Sequence, residues 1–251
     1  MTSIKVGDIF ATNSYGDCVV LEYKNRKEVL VRFLETGYEK WCYGHALRDG
    51  RVKDPYAPSV YGVGFMGDGT FTSRSNGRTT KEYNAWIGML ERCYDDKCHS
   101  YLRYGGRGVT VCKEWHNFQN FAQWYPEQPN SYKEGFALDK DLLLQGRKEY
   151  SPETCSLLPA RINALTLSCN KSRGEYPVGV YNHQEGFVAN SSRGEGNNEA
   201  YLGRFDTVED AFQAYKEAKE AFIKQVAQEE YDKGNIVEGV YNTLMKWEVV
   251  P

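Results

Sequence analysis

No stretch of the 251-residue chain approaches the ~20 consecutive apolar residues that a membrane-spanning helix requires. Residues 1–10 likewise lack the apolar core of a secretory signal. The expectation is a cytoplasmic protein with no membrane partner. Histidine is scarce, with 4 in the chain, and none of the 7 cysteines falls in a CxxC pair. An odd number of scattered thiols in a chain this long excludes a disulfide mini-protein. It fits reduced cysteines, with metal binding open to a subset. A cationic excess is missing too. The 31 Lys and Arg face 34 Asp and Glu, a formal charge of −3, where a general polyanion binder would be basic overall.

What is present suits a folded chain: 41% hydrophobic and 26% charged residues, with length for one large domain or two to three small ones. The charge is uneven. Residues 71–113 hold Arg74, Arg78, Lys81, Arg92, Lys97, Arg103, Arg107 and Lys113 against Glu82, Glu91, Asp95 and Asp96. Residues 207–251 hold five Lys against nine acids. A basic middle beside an acidic end permits a local nucleic-acid surface.

Residues 4–58 read as short strands at about ten-residue spacing. The candidates are "DIFAT", "CVVLEY", "EVLVRF" and "EKWCYGHAL", divided by "NSYGD", "KNRK" and "ETGY". β-branched and aromatic residues between such turns predict a small antiparallel β-barrel of Src-homology or Tudor type over 1–58. The Gly-rich run 59–78 reads as a linker whose Tyr, Phe and Met pack on a domain.

Thr79 with Glu82 has capping-box spacing. Tyr83, Trp86, Ile87, Leu90, Cys93 and Tyr94 then recur at helical intervals. A second helix is expected at about 115–125 and a third around 160–167. Beyond residue 175 the pattern returns to strands, "VGVYNHQEGFVANSS" and "EAYLGRFDT". A second capping box, Thr207 with Asp210, then opens a helical stripe running from Val208 to Val226. Strands and helices are segregated, so the expected fold class is multidomain α+β.

Asp139 closes the apolar strand "FALDKD", and Asn163 lies on the third expected helix. A strand carboxylate and a helix-borne amide oxygen are hard donors. They suit Mg²⁺ or Mn²⁺, whose shell is completed by water and phosphate. Arg107 in "GGRG" could hold a phosphate, since glycines let backbone approach closely, or could be a turn residue. His99 and His116 are the histidines nearest this stretch. His116 could take part in catalysis, cap a helix or lie at the surface. Cys93, Cys98, Cys112 and Cys155, with or without His99, could build a structural Zn²⁺ site. The alternative is buried free thiols.

The run "WIGMLERCYDD…YLRYGGRGVTVCKEWHNFQNFAQWY…LDKDLL…YSPETCSLLPARIN", over about 83–165, resembles the HNH endonucleases encoded by bacteriophages. That group includes homing and intron-associated enzymes. The resemblance implies a ββα-metal nuclease fold over 79–170, with Asp139 and Asn163 as ligands of a divalent metal. It also implies a general base beside the Asp, where this chain has Lys140 and the family has His. Lysine is protonated at neutral pH unless desolvated or held beside cations, but it could steady a phosphate or leaving group. The catalytic candidates are therefore Asp139, Lys140, Asn163, Arg107 and His116. Arg103, Arg107 and Lys113 are candidates for DNA contact.

Residues 179–219, "GVYNHQEGFVANSS…EAYLGRFDTVEDAFQAYKEAK", resemble the plant ethylene-response-factor (APETALA-type) DNA-binding domain. That resemblance implies a three-stranded sheet in the DNA major groove with a helix behind it, over 175–230. It nominates Tyr181, His183, Asn190, Ser192, Arg193 and Arg204 as contacts. Residues 231–251 read as an acidic C-terminal tail. The combined expectation is a phage-type endonuclease that cuts or nicks double-stranded DNA with a divalent metal in a host cytoplasm. The alternative is a catalytically inactive nuclease scaffold that binds DNA, or that regulates or inhibits a host protein complex.

Overall fold

The computed structural model describes residues 3–143, 146–166, 175–184, 186–192 and 199–250. The chain divides into two compact units, Met1–Pro126 with Lys148–Ser151, and Glu127–Arg147 with Pro152–Pro251. Both mix helices with small sheets, making this an α+β protein.

The first unit opens with β1 (Ile9–Ala11), β2 (Asp17–Asn25), β3 (Glu28–Phe33) and β4 (Glu39–Cys42), an antiparallel meander in that order. Alternation is clean in β3, whose Val29, Val31 and Phe33 are buried. They pack with Cys18, Val20, Leu47 and Val52, while the residues between them face outward. The barrel expected over 1–58 does not close: among the described residues β1 and β4 are both edge strands. β1 has 3 residues and pairs with β2, which leaves it little ladder with which to complete a ring. The strand expected at "EKWCYGHAL" splits. β4 ends at Cys42, and Gly44–Arg48 winds into α1, which turns Leu47 into the core.

Past the meander, the carboxylate of buried Asp54 accepts hydrogen bonds from the Thr36 hydroxyl and the Tyr56 N–H. Phe65 forms a bridge with Asn117. β5 (Arg74–Ser75) and β6 (Arg78–Thr79) then make a two-rung hairpin. α2 (Lys81–Tyr94) is capped by Thr80, one residue later than expected, because Thr79 is held in β6 opposite Arg74. Such a cap contributes about 1 kcal/mol.

β7 (Thr110–Val111) precedes α3 (Phe118–Trp124). The helix expected at 115–125 forms in two pieces, a 3-10 turn over Lys113–His116 and then α3. Asn117 is extended between them and caps α3 by accepting the Gln119 N–H. Trp86 of α2 packs on Phe118 at 5.3 Å between ring centroids and donates its indole N–H to the Trp115 carbonyl at 2.7 Å.

The second unit begins its regular structure with β8 (Phe136–Asp139). After β9 (Glu149–Tyr150), which belongs to the first unit and pairs in parallel with β7, come β10 (Ser156–Pro159) and α4 (Ala160–Thr166). β10 is antiparallel to β8, and α4 follows it directly. β11 (Val180–His183), β12 (Gly186–Ser192) and β13 (Glu199–Phe205) form an antiparallel sheet. α5 (Val208–Asp232) and α6 (Glu238–Met245) complete the unit. Thr207 caps α5, accepting the Asp210 N–H at 3.1 Å.

α5 serves two cores. Near its start, Ala211 packs with Val180 and Ala189 of the sheet, flanked by Phe187, Leu202 and Phe205. Further on, Ile223, Val226 and Ala227 pack with Leu142, Leu158, Ile162 and Leu165 of the hairpin and α4. Ile236, Val240 and Leu244 join that second core. The segment 231–251, read from charge as a tail, thus contains a helix with a buried apolar side, while Asp232, Glu238 and Glu248 stay exposed. Two four-residue strands and a seven-residue helix bury little alone. The C-terminal helices supply the missing cover.

Candidate functional site

β8 places Asp139 at its last position, opposite Ser156 of β10. Its carboxylate organises the next turn, with Oδ2 accepting the Asp141 N–H at 2.9 Å and the Leu142 N–H at 3.0 Å. Burial raises the Asp139 pKa, and these two N–H groups oppose the shift without cancelling it. α4 packs against both β8 and β10, and the side-chain oxygen of Asn163 is buried. Two hard oxygen donors therefore sit on adjoining elements. Among the described residues no group of three or more His, Cys, Asp or Glu gathers as a metal cage. A divalent ion held by two such donors would take the rest of its shell from water or phosphate.

Lys140 is where the structure departs most from the expected chemistry. Only 7% of its side chain is exposed. Its Nζ pairs with the Asp141 carboxylate and donates to the Arg147 carbonyl at 3.4 Å. A general base must present a lone pair to the substrate, whereas this nitrogen donates to two oxygens of the following loop. Lys140 is built in as a structural tie.

A second polar network lies behind α4. Arg161 Nη1 is 2.8 Å from Glu229 Oε2 and 3.5 Å from Glu230 Oε1. Buried Glu230 also receives the Asn235 amide at 2.7 Å and Lys233 at 3.1 Å. Burial pushes the Glu230 carboxyl up, but Asn235, Lys233 and Arg161 outweigh it and leave the group below its ordinary value. The network fastens α4, two residues before Asn163, to α5.

The remaining nuclease candidates, Cys155 apart, belong to the first unit. Arg103 and Arg107 end successive 3-10 turns, Tyr101–Arg103 and Gly105–Arg107, and both are exposed, as is Lys113. The first glycine of "GGRG" has a packing cause. A Cβ on Gly105 would lie 2.1 Å from the Cys93 carbonyl oxygen, so the turn sits directly on the end of α2.

His116 Nε2 lies 3.5 Å from the Tyr94 hydroxyl, with the rings edge to face, and that hydroxyl accepts the Val111 N–H at 2.9 Å. His116 therefore packs against α2. Arg92, counted with the basic residues, stacks over the rings of Tyr104 and Tyr150 at 5.4 and 5.8 Å. Cys93, Cys112 and Cys155 are buried and Cys98 is partly buried, none of them in a disulfide, and His99 is exposed. Burial pushes the Cys112 thiol up to about 11, which keeps it protonated at neutral pH.

The sheet of the second unit has one covered and one open face. Cross-strand partners share a face, and the set Val180, Ala189 and Gly203 faces α5. Tyr181, Val188 and Arg204 pair across the other face, with Asn190 opposite Tyr201 on it. His183, two residues from Tyr181, shares that face and is exposed. Three exposed nominated residues, Tyr181, His183 and Arg204, are thus brought together, whereas the side-chain oxygen of Asn190 is buried. Arg193 lies outside the described residues, and so does the side chain of Ser192.

Tyr201, 66% exposed, and Val188 belong to the same surface but were not nominated. Strict alternation in "EAYLGRF" would place Tyr201 on the covered face with Gly203 and Phe205; the register shift between Ala189 and Asn190 turns it out beside Arg204. Arg204 also borders a shallow cleft with Asp206, Asp210 and Glu217, which tempers its positive field.

No helix among the described residues is long and apolar enough to cross a membrane. No family model, curated protein or solved structure matches the chain.

Proposed function

We propose that this chain is a phage-type, metal-dependent DNA endonuclease of the HNH kind, whose C-terminal sheet selects the site on the duplex. The observation that carries this reading is the hairpin–helix of β8, β10 and α4, with Asp139 and the buried Asn163 oxygen on adjoining elements. Asp139 and Asn163 would hold Mg²⁺ or Mn²⁺. Bound there, such an ion supplies Lewis-acid stabilisation of charge on a phosphate. The Asp141 and Leu142 N–H groups hold the Asp139 carboxylate in one orientation.

The outer face of the sheet, with Tyr181, His183, Tyr201 and Arg204, supports an ethylene-response-factor-like role in a DNA groove. A β-sheet of this width enters the major groove and presents alternate side chains to base edges. Arg103, Arg107 and Lys113 are exposed cations suited to phosphate.

The test is conversion of supercoiled plasmid by purified protein with Mg²⁺ or Mn²⁺. Wild type is expected to nick or linearise it, and Asp139→Asn and Asn163→Ala to lose that activity while staying folded. Equal cutting by Asp139→Asn would sink the metal assignment.

The ion pair of Lys140 with Asp141 favours a second reading, a scaffold that binds DNA or a host protein complex without cutting. In that case duplex binding is unaffected by metal, no nicks accumulate, and Asp139→Asn binds as wild type does.

A further inference from the structure

The β5–β6 hairpin stands outside the buried core of its unit. Residues 74–79 are all exposed. A two-rung hairpin is marginal in water without support, and this one is held at its base. Its turn has Asn76 and Gly77 both at positive φ, 51° and 75°, the geometry of a type I′ turn that keeps the strands in register.

Below the turn, Thr80 N–H bonds the Ser73 carbonyl at 3.1 Å, and the Thr72 hydroxyl bonds the Arg74 carbonyl at 2.8 Å. The base is clamped by Gln119, which accepts the Phe71 N–H and donates to the Met66 and Phe71 carbonyls, all at 3.0 Å. The result is a polar finger anchored at its base.

Its charge is of one sign. Residues 69–81 contain Arg74, Arg78 and Lys81 and no acid. Among the described residues, the side chains of Arg74 and Arg78 make no ion pair or hydrogen bond. Arg74 pairs with Thr79 and Ser75 with Arg78, so the two arginines project from opposite faces of the ribbon. The N-terminus of α2 follows, with Lys81 and Glu82 in its first turn, so the one-signed charge of the finger is that of its two arginines.

We propose that this finger is a second DNA contact, entering a groove of the duplex edge-on and giving one arginine to the phosphates of each wall. Small Ser75, Asn76 and Gly77 form the tip, and nothing bulky keeps it out. The inference rests on the duplex-DNA reading above, but it concerns a different surface in a different unit.

Binding of the full chain to a random-sequence duplex of about 30 base pairs, with EDTA present and salt varied, tests it. An Arg74→Gln/Arg78→Gln variant is expected to shallow the slope of log K against log salt by about two. Its affinity should fall by on the order of tenfold near 0.1 M salt. Gly77→Val keeps the charge but strains the turn; a Cβ there meets no atom within 4 Å, so the rest of the fold is undisturbed. It should lose affinity several-fold.

If wild type binds duplex and the double variant keeps the same slope, the finger has no role and the site-selecting sheet stands without it. If wild type binds no duplex at any salt, the DNA reading and the finger fall together. Tighter binding to single-stranded RNA with the same arginine dependence would overturn the choice of partner.

Discussion

The two ends of α5 lead into cores of different kind. At its start a thin core, with Val180, Ala189 and Ala211 buried, backs a sheet whose other face is open. At its far end a larger core joins the β8–β10 hairpin to α4, α5 and α6, with Leu158 of β10 fully buried in it. The difference separates a sheet with one open face from a framework covered by helices. The sheet needs only enough burial to stay flat and exposed, whereas Asp139 and Asn163 need neighbours that fix them. Because one continuous helix serves both, what loosens the hairpin core should be felt along α5.

The largest expected effect is at the centre of the framework. Leu158→Ala removes a fully buried side chain and should lower the stability of the second unit by about 3 kcal/mol in chemical denaturation. A loss under about 1 kcal/mol would erase the contrast between the two cores.

Leu244→Ala probes the same core from α6 and should cost about 2–3 kcal/mol. Amide exchange is then expected to quicken in β8, β10 and α4 as well as in α6. Faster exchange confined to α6 would mean that the C-terminal helix is only an appendage.

Glu230→Gln is next, at roughly 1–2 kcal/mol near neutral pH, since Arg161, Lys233 and Asn235 lose a charged acceptor. The pH dependence has a definite sign. A carboxyl held below its ordinary value contributes fully above the unfolded pKa of about 4.3 and loses that contribution as pH falls through the lowered folded value. Wild type should therefore lose stability below about pH 4, with a flatter acid limb for the variant; superimposable limbs would remove Glu230 from the framework.

The smallest effect on stability belongs to the open face of the sheet. Tyr201→Ala and Tyr181→Ala should change stability by less than about 0.5 kcal/mol, because both rings are exposed. Their duplex affinity should still drop several-fold by fluorescence anisotropy. Unchanged affinity would leave the open face without a partner.

Elements with local signatures were legible from sequence. Thr207 with Asp210 opened α5, and the apolar spacing of α2 was plain, with its cap displaced by one residue through the β5–β6 pairing. Closure of the N-terminal sheet was not legible, since strand content does not reveal that β1 is too short to complete a ring. α6 was hidden by its charge, although Ile236, Val240 and Leu244, four apart, carried a helical signal. At the candidate site, Asp139 and Asn163 could be nominated from residue chemistry. The fate of Lys140 could not, because burial beside Asp141 is a tertiary outcome.

Cutting can fail for want of the right DNA sequence, so metal binding is the more direct test of the central claim. Electron paramagnetic resonance of Mn²⁺ titrated into the full chain reports it without any DNA. The expected result is a site present in wild type and lost in both Asp139→Asn and Asn163→Ala, with unchanged circular dichroism. Identical Mn²⁺ binding by all three proteins would contradict the assignment of Asp139 and Asn163 as the metal centre.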